Sequence, residues 1–177
     1  TVDTEKGFNL AAQVKAVKVE DFLKTFAIQL PFSASGEVQA TTKLTGAIDK
    51  PILTGTVKNT KSAQLDRVDL SKVSADFKLD ASALSLAVTN IQATPTVGGQ
   101  VVGNGRINLN EPRSLDLNFR ATNVPGDTIA RLYNNGTAPP ITVGRVSAQA
   151  RISGAIENVQ TVAQFQAPEA SYPTTGE

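Results

Sequence analysis

Apolar and polar residues alternate with a period of two along most of this chain. From Val38 the even positions Val38, Ala40, Thr42, Leu44, Gly46 and Ile48 face the polar odd positions Glu37, Gln39, Thr41, Lys43 and Thr45. The pattern returns at Val73, Ala75, Phe77 and Leu79, and again at Leu84, Leu86 and Val88. It continues through Val101, Ile107 and Leu109, through Leu115, Leu117 and Phe119, and through Val146, Ile152 and Ile156. A period of two is the signature of a strand with one buried and one wet face. Turn residues separate the runs at Asp49-Lys50-Pro51, Asp80-Ala81-Ser82, Thr94-Pro95 and Asn110 to Arg113. Connections this short predict antiparallel neighbours, not crossovers. Two stretches depart from the alternation. Phe22 and Phe26, and Ile129 and Tyr133, are spaced i, i+4 behind acidic residues, which predicts two short helices. Gly136 is placed to end the second.

The chain also repeats itself. Gly36 to Ile48 matches Gly144 to Ile156 at an offset of 108 positions, and the helices Phe22 and Ile129 begin are offset by nearly as much. Leu10 to Ala16 aligns with Leu117 to Asn123. The expected organisation is therefore one segment, 1–177, of a longer array. Its unit is near 108 residues, with one copy at about 8–115 and a partial one at 116–177.

Composition supports an all-β reading, with nineteen threonines and seventeen valines. His, Cys, Met and Trp are absent, apart from which the balance of 17 basic and 16 acidic residues gives a net charge of +1. The missing His and Cys exclude zinc-finger, thiol and triad chemistry. The near-neutral balance offers no field for gripping nucleic acid. The acid pairs Glu20 with Asp21 and Asp66 with Asp69 read as a helix start and a solvated turn, not as hydrolytic dyads. Gly98-Gly99 and Gly103-Asn104-Gly105 lack the third glycine of a dinucleotide fingerprint, because Asn108 stands there; glycine within a strand marks a bulge or bend. The expectation is a chain that is not an enzyme and needs no cofactor.

The order of these features resembles the translocation-and-assembly module B (TamB) family, within the AsmA-like, repeating β-groove superfamily. The residues that carry the resemblance are the short helix at Val19 to Phe26, Gly36 to Gly46, Asp49-Lys-Pro-Ile-Leu-Thr-Gly55, and Gly98 to Leu109. The second copy departs from the pattern, with Val159 in place of Pro51 and Ala163 in place of Gly55. The resemblance implies an elongated, curved, taco-shaped antiparallel sheet with an apolar inner groove and one short helix per repeat. It also implies an inner-membrane-anchored protein of the periplasm or intermembrane space. Such a protein would carry phospholipid acyl chains between membranes or assist assembly of outer-membrane β-barrels. The implied partners are an outer-membrane barrel assembly pore (TamA-like or equivalent) and unfolded barrel clients. The rival reading is a structural or adhesive β-repeat array binding carbohydrate or protein.

The residues themselves press toward a groove. The expected lining is Val38, Leu44, Ile48, Val73, Phe77, Leu79, Leu84, Leu86, Val88, Val101, Ile107, Leu109, Leu115, Leu117, Phe119, Val146, Ile152 and Ile156. At roughly 60–120 Å² per side chain these hold roughly 1,100–2,200 Å² of apolar surface, which two short helices cannot cover. The sheet must either close on itself or curl round something apolar.

Overall fold

The computed structural model describes residues 7–25, 32–138 and 140–172. Its strands are β1 (Phe8–Lys18), β2 (Ala34–Ser35), β3 (Glu37–Gly46), β4 (Ile52–Asn59), β5 (Ala63–Leu65), β6 (Val68–Asp80), β7 (Ser85–Pro95), β8 (Gln100–Asn108), β9 (Ser114–Pro125), β10 (Arg145–Ala155) and β11 (Asn158–Gln166). Helix α1 (Val19–Thr25) follows β1, and α2 (Gly126–Tyr133) follows β9. All eleven strands belong to one antiparallel sheet. Its path runs β1-β3-β4-β6-β7-β8-β9-β10-β11, with the short β2 and β5 paired beside it. Among the described residues the path does not close, and β1 and β11 lie at its two ends. The chain exposes 11656 Å². A compact monomer of this mass would expose about 8,200 Å².

The register explains why alternation was so regular. Leu10, Leu44, Leu53, Leu79, Leu86, Ile107 and Leu115 stand opposite one another in a single row across seven strands of the path. The next row includes Phe77, Val88, Leu117 and Ile152. Cross-strand neighbours on one face stabilise a sheet by contact, so the fold is specified row by row as well as strand by strand. Glycines complete the rows where a neighbour is large. A Cβ on Gly55 would lie 2.8 Å from the Phe77 ring, and one on Gly103 would lie 2.5 Å from Phe119 Cδ1. A Cβ on Gly105 would meet Leu117 Cδ2 at 2.5 Å. Gly103 and Gly105 keep regular pairing with β9, and toward β7 the register shift falls between their partners Ile91 and Val88, so they mark a bulge as expected from sequence and also close packing under a side chain.

Ala16 (φ 57), Asn90 (φ 50) and Asn123 (φ 54) adopt left-handed backbone within or beside register shifts in β1, β7 and β9. Each bulge inserts one residue and so restores the apolar parity beyond it. Thus Leu86 and Val88 share a face with Ile91 and Ala93. The bulge at Ala16 recurs 107 positions on at Asn123. So does its setting. Val19 N–H donates to Gly36 O at 2.9 Å, and Gly126 N–H donates to Gly144 O at 2.7 Å. Gly46 (φ 99) is the last residue of β3 and Gly154 (φ 125) the last but one of β10, and a Cβ on either would press on the carbonyl of Lys50 or Asn158, each four residues on. The bridge between Thr142 and Ser171 parallels the β2–β5 pairing.

Both helices lie at one rim of the sheet, whereas the tight turns β3–β4, β6–β7, β8–β9 and β10–β11 lie at the other. Helices of seven and eight residues are too short to stand alone in water. Tertiary contacts hold α2. Arg67, in the β5–β6 turn, donates from Nη1 to Leu132 O at 3.0 Å and places its guanidinium 5.6 Å from the Tyr133 ring centroid. Burial and the neighbouring Asp66 push the Tyr133 hydroxyl above the usual tyrosine range. Gly136 (φ 83) returns its N–H to Arg131 O at 2.8 Å and ends the helix. Phe26, expected on α1, lies outside the described residues.

Asp127 ties α2 to the following strand. Its carboxylate accepts the N–H groups of Val143 at 2.7 Å and Gly144 at 3.0 Å. Those two bonds hold its pKa below the usual carboxylate value. A depressed folded pKa means stability that is present above the unfolded value, near 3.9, and lost as pH falls through the folded one. Asp127→Asn should lower the melting temperature at pH 7 and flatten the fall in melting temperature between pH 4 and pH 2. Thermal unfolding followed by circular dichroism across that range measures both. An unchanged acid limb would show that the contact is not coupled to folding.

Candidate functional site

The candidate site is the apolar face. Val38, Leu44, Val73, Phe77, Leu79, Leu86, Val88, Val101, Ile107, Leu115, Leu117, Phe119, Val146 and Ile152 all lie on strands and share it. The other four expected residues fall in turns. Ile48 lies beyond the chain reversal at Gly46 and is 55% exposed. Leu84 takes a positive φ of 44° in the β6–β7 turn and is 43% exposed. The alternation ran past the strand end in both cases, so neither lines the face. Leu109 is half-buried just beyond β8, held by its N–H to Leu84 O. Ile156 also lies in a turn, yet it is buried, with its N–H donated to Arg113 O. Leu10, Leu53, Val57 and Ile91 belong to the face and were not anticipated.

Burial is graded across this face. Leu115, Leu117, Ile152 and Ile156 form a buried cluster, against which Phe32, Ile107, Phe119 and Val159 pack. Phe32, just before β2, packs an aromatic ring against this cluster of β9 and β10. Sequence reasoning missed this plug, since Phe32 stands in no periodic run. Toward β1 the cover ends, and Leu10 is 59% exposed and Val14 41%. Leu44, Leu53, Leu79 and Leu86 between them are half-buried. Among the described residues no large side chain is fully sealed from solvent. The face is thus mainly apolar, with Thr42, Asn59 and Thr161 among its few polar members, and it is buried at one end and open at the other.

The opposite face is polar and chemically distinct. A hollow of about 650 Å³ lies on it over β7 to β11, with Asn104, Asn118, Arg120, Gln149, Arg151 and Gln164 in its lining. Arg151 pairs with Asp116 through two hydrogen bonds of 2.9 and 2.8 Å, which lowers the Asp116 pKa and raises that of Arg151. Asp76 accepts Thr56 Oγ1 at 2.7 Å and Asn90 Nδ2 at 2.8 Å, and these bonds, Asn90 first, hold its pKa down. All of these carboxylates are consumed by structural bonds. Among the described residues no three carboxylates gather where a metal could be held. Of the two acid pairs seen in the sequence, Glu20 reaches Gly36 N–H at 3.5 Å, and Asp66 lies beside Tyr133.

Neither a family model nor a solved structure matches the chain. The chain is similar to Protein TIC236, chloroplastic, of Arabidopsis thaliana, at 25% identity over 203 aligned residues. The match covers 94% of this chain and 9% of that protein, so the chain spans less than a tenth of its relative's length. The resemblance to the TamB family is therefore corrected. No family model supports it, and the similarity found is to a chloroplast protein. The short signature of glycines and a proline is what a strongly curved antiparallel sheet needs at its turns, and it does not discriminate between families that share such a sheet.

Proposed function

We propose that this chain is a non-enzymatic segment of a membrane-envelope protein whose apolar sheet face carries the acyl chains of phospholipid between two membranes. One observation supports it above the others. A row of leucines and one isoleucine crosses seven strands without a polar interruption, and its members from Leu10 to Leu86 are exposed or half-buried. A monomer rarely leaves contiguous apolar surface of more than a few hundred Å² to water. Hydrocarbon matches this surface without needing directional bonds, and the wet opposite face keeps the sheet soluble. The similarity to a chloroplast protein is compatible with a place in an organelle bounded by two membranes. The intermembrane space is then the compartment of this segment.

Leu86 is the residue to test, because it stands mid-sheet in the row and outside the cluster that Phe32 fills. A photoreactive side chain at position 86 should capture phospholipid in native membranes, and one at Asn118 on the wet face should not. Native mass spectrometry of the freshly purified chain should show co-purified phospholipid, and Leu86→Asp should remove at least about nine-tenths of it, since charge against hydrocarbon costs several kcal/mol. Lys78→Asp, on the wet face, should leave it unchanged. No lipid from either method, or equal capture at 86 and 118, would overturn the reading.

A further inference from the structure

We propose that the buried cluster of Leu115, Leu117, Ile152 and Ile156 is an acyl-chain seat, which the Phe32 ring fills as an internal stand-in until a chain displaces it. This rests on the transport reading, and adds where the hydrocarbon goes next and what it must move. The apolar row does not end at Leu86. Leu86 stands opposite Ile107, Ile107 opposite Leu115, Leu115 opposite Gly154 and Gly154 opposite Val159. Ile107 and Val159 both pack against the cluster, and so does Phe32. A chain lying along the row therefore reaches Leu115 two strand spacings past Leu86, roughly 10 Å, and meets the Phe32 ring there.

Phe32 differs from the other residues that pack on the cluster. Ile107, Phe119 and Val159 belong to β8, β9 and β11 and cannot leave without breaking ladder bonds. Phe32 lies outside these strands, and its described attachment is slight. Ser33 O accepts the N–H of Asp66 at 2.7 Å, and β2 pairs only Ala34 with Leu65 and Ser35 with Gln64. Ser33 is exposed, and Phe32 itself is half-buried. An element with so few bonds and so little burial belongs to the parts of a fold that open first. The exchange also favours hydrocarbon. Burying a phenyl side chain is worth about as much as burying two to four methylenes, so a long acyl chain gains more than the ring loses. All four members of the cluster are aliphatic, and among the described residues no polar or charged side chain is buried. The seat therefore takes the unsubstituted chain of a lipid and not its headgroup.

The chain has no tryptophan, so Phe32→Trp places a single fluorescent reporter on the cluster. When phosphatidylcholine vesicles are added to the full chain, its emission should move to longer wavelength and its quenching by acrylamide should rise, because the displaced ring enters water. A ring with a purely structural role would show neither change. Phe32→Ala removes the stand-in and should raise the phospholipid that co-purifies at least about twofold, since the seat is then always vacant. Circular dichroism checks that both variants are folded, and the tryptophan readout decides alone if Phe32→Ala is not. Unmoved emission while position 86 captures phospholipid, or no gain in a folded Phe32→Ala, would overturn this proposal and leave the transport reading standing. No capture at position 86 would overturn both.

Discussion

Leu115→Asp should abolish cooperative thermal unfolding, while Leu10→Asp in the same row should shift the midpoint by only a degree or two. The two leucines share an environment in sequence but not in the fold. Leu115 is 3% exposed at the centre of the cluster closed by Phe32, and Leu10 is 59% exposed on the β1 edge. An uncompensated charge at Leu115 costs several kcal/mol against a total stability of roughly 5–15 kcal/mol. At Leu10 the new carboxylate reaches water. Leu117→Ala supplies an intermediate step, expected to cost about 2–5 kcal/mol as a cavity. Circular dichroism melts of the three variants measure the gradient. Equal shifts for Leu10→Asp and Leu115→Asp would show that the apolar face is uniformly exposed, and the plug formed by Phe32 would then contribute nothing.

The second large effect belongs to a glycine. Gly103→Ala should destabilise the chain by about 1–3 kcal/mol, although alanine is ordinarily the better residue in a strand interior. The added Cβ would lie 2.5 Å from Phe119 Cδ1 and 2.7 Å from Asn118 O. The ring can move and the carbonyl cannot without breaking the ladder. Phe119→Ala should therefore rescue only part of the loss, giving a coupling of about 0.5–1 kcal/mol in a double-mutant cycle. Denaturant unfolding of the four proteins gives the cycle. A stabilising Gly103→Ala would mean that the ring does not rest on this backbone in solution.

These two cases show where the sequence was legible. The strands with uninterrupted parity, β3, β8, β9 up to its bulge and β10, were visible as alternation, because each buries one face over its whole length. β7 was only half visible. Its bulge at Asn90 inserts a residue after Val88, so Ile91 and Ala93 have the opposite parity in sequence and the same face in space. Ile48 and Leu84 show the converse error, in which parity continues past the strand into a turn. β1 and β4 are harder to see as lining, because Leu10 and Val14 stand in the repeated segment and Leu53 in the turn motif, and neither strand shows a long alternating run of large apolar residues. The two-residue β2 has too few positions for any period. Phe32 stands in no periodic run, so its packing against the cluster of β9 and β10 leaves no sign in the sequence. Gly103 and Gly105 are legible as marks of a bulge, which β7 supplies between Val88 and Ile91, but their close packing under Phe119 and Leu117 depends on which large residue stands opposite in the next strand.

The placement of both helices at one rim has a metrical consequence. From β1 to β9 the sheet advances six strands before the bulge, the helix and the glycine geometry come round again. Six is even, which is why α1 and α2 emerge on the same side. At about 4.8 Å between neighbours, six steps measure roughly 29 Å along the surface. A sheet lengthened by this unit would therefore be a ruler graduated at about 29 Å for each 108 residues. The gap it bridges would be set by how many graduations a gene encodes, and a single missing pair of strands would shorten it by about 10 Å without turning any helix to the other side.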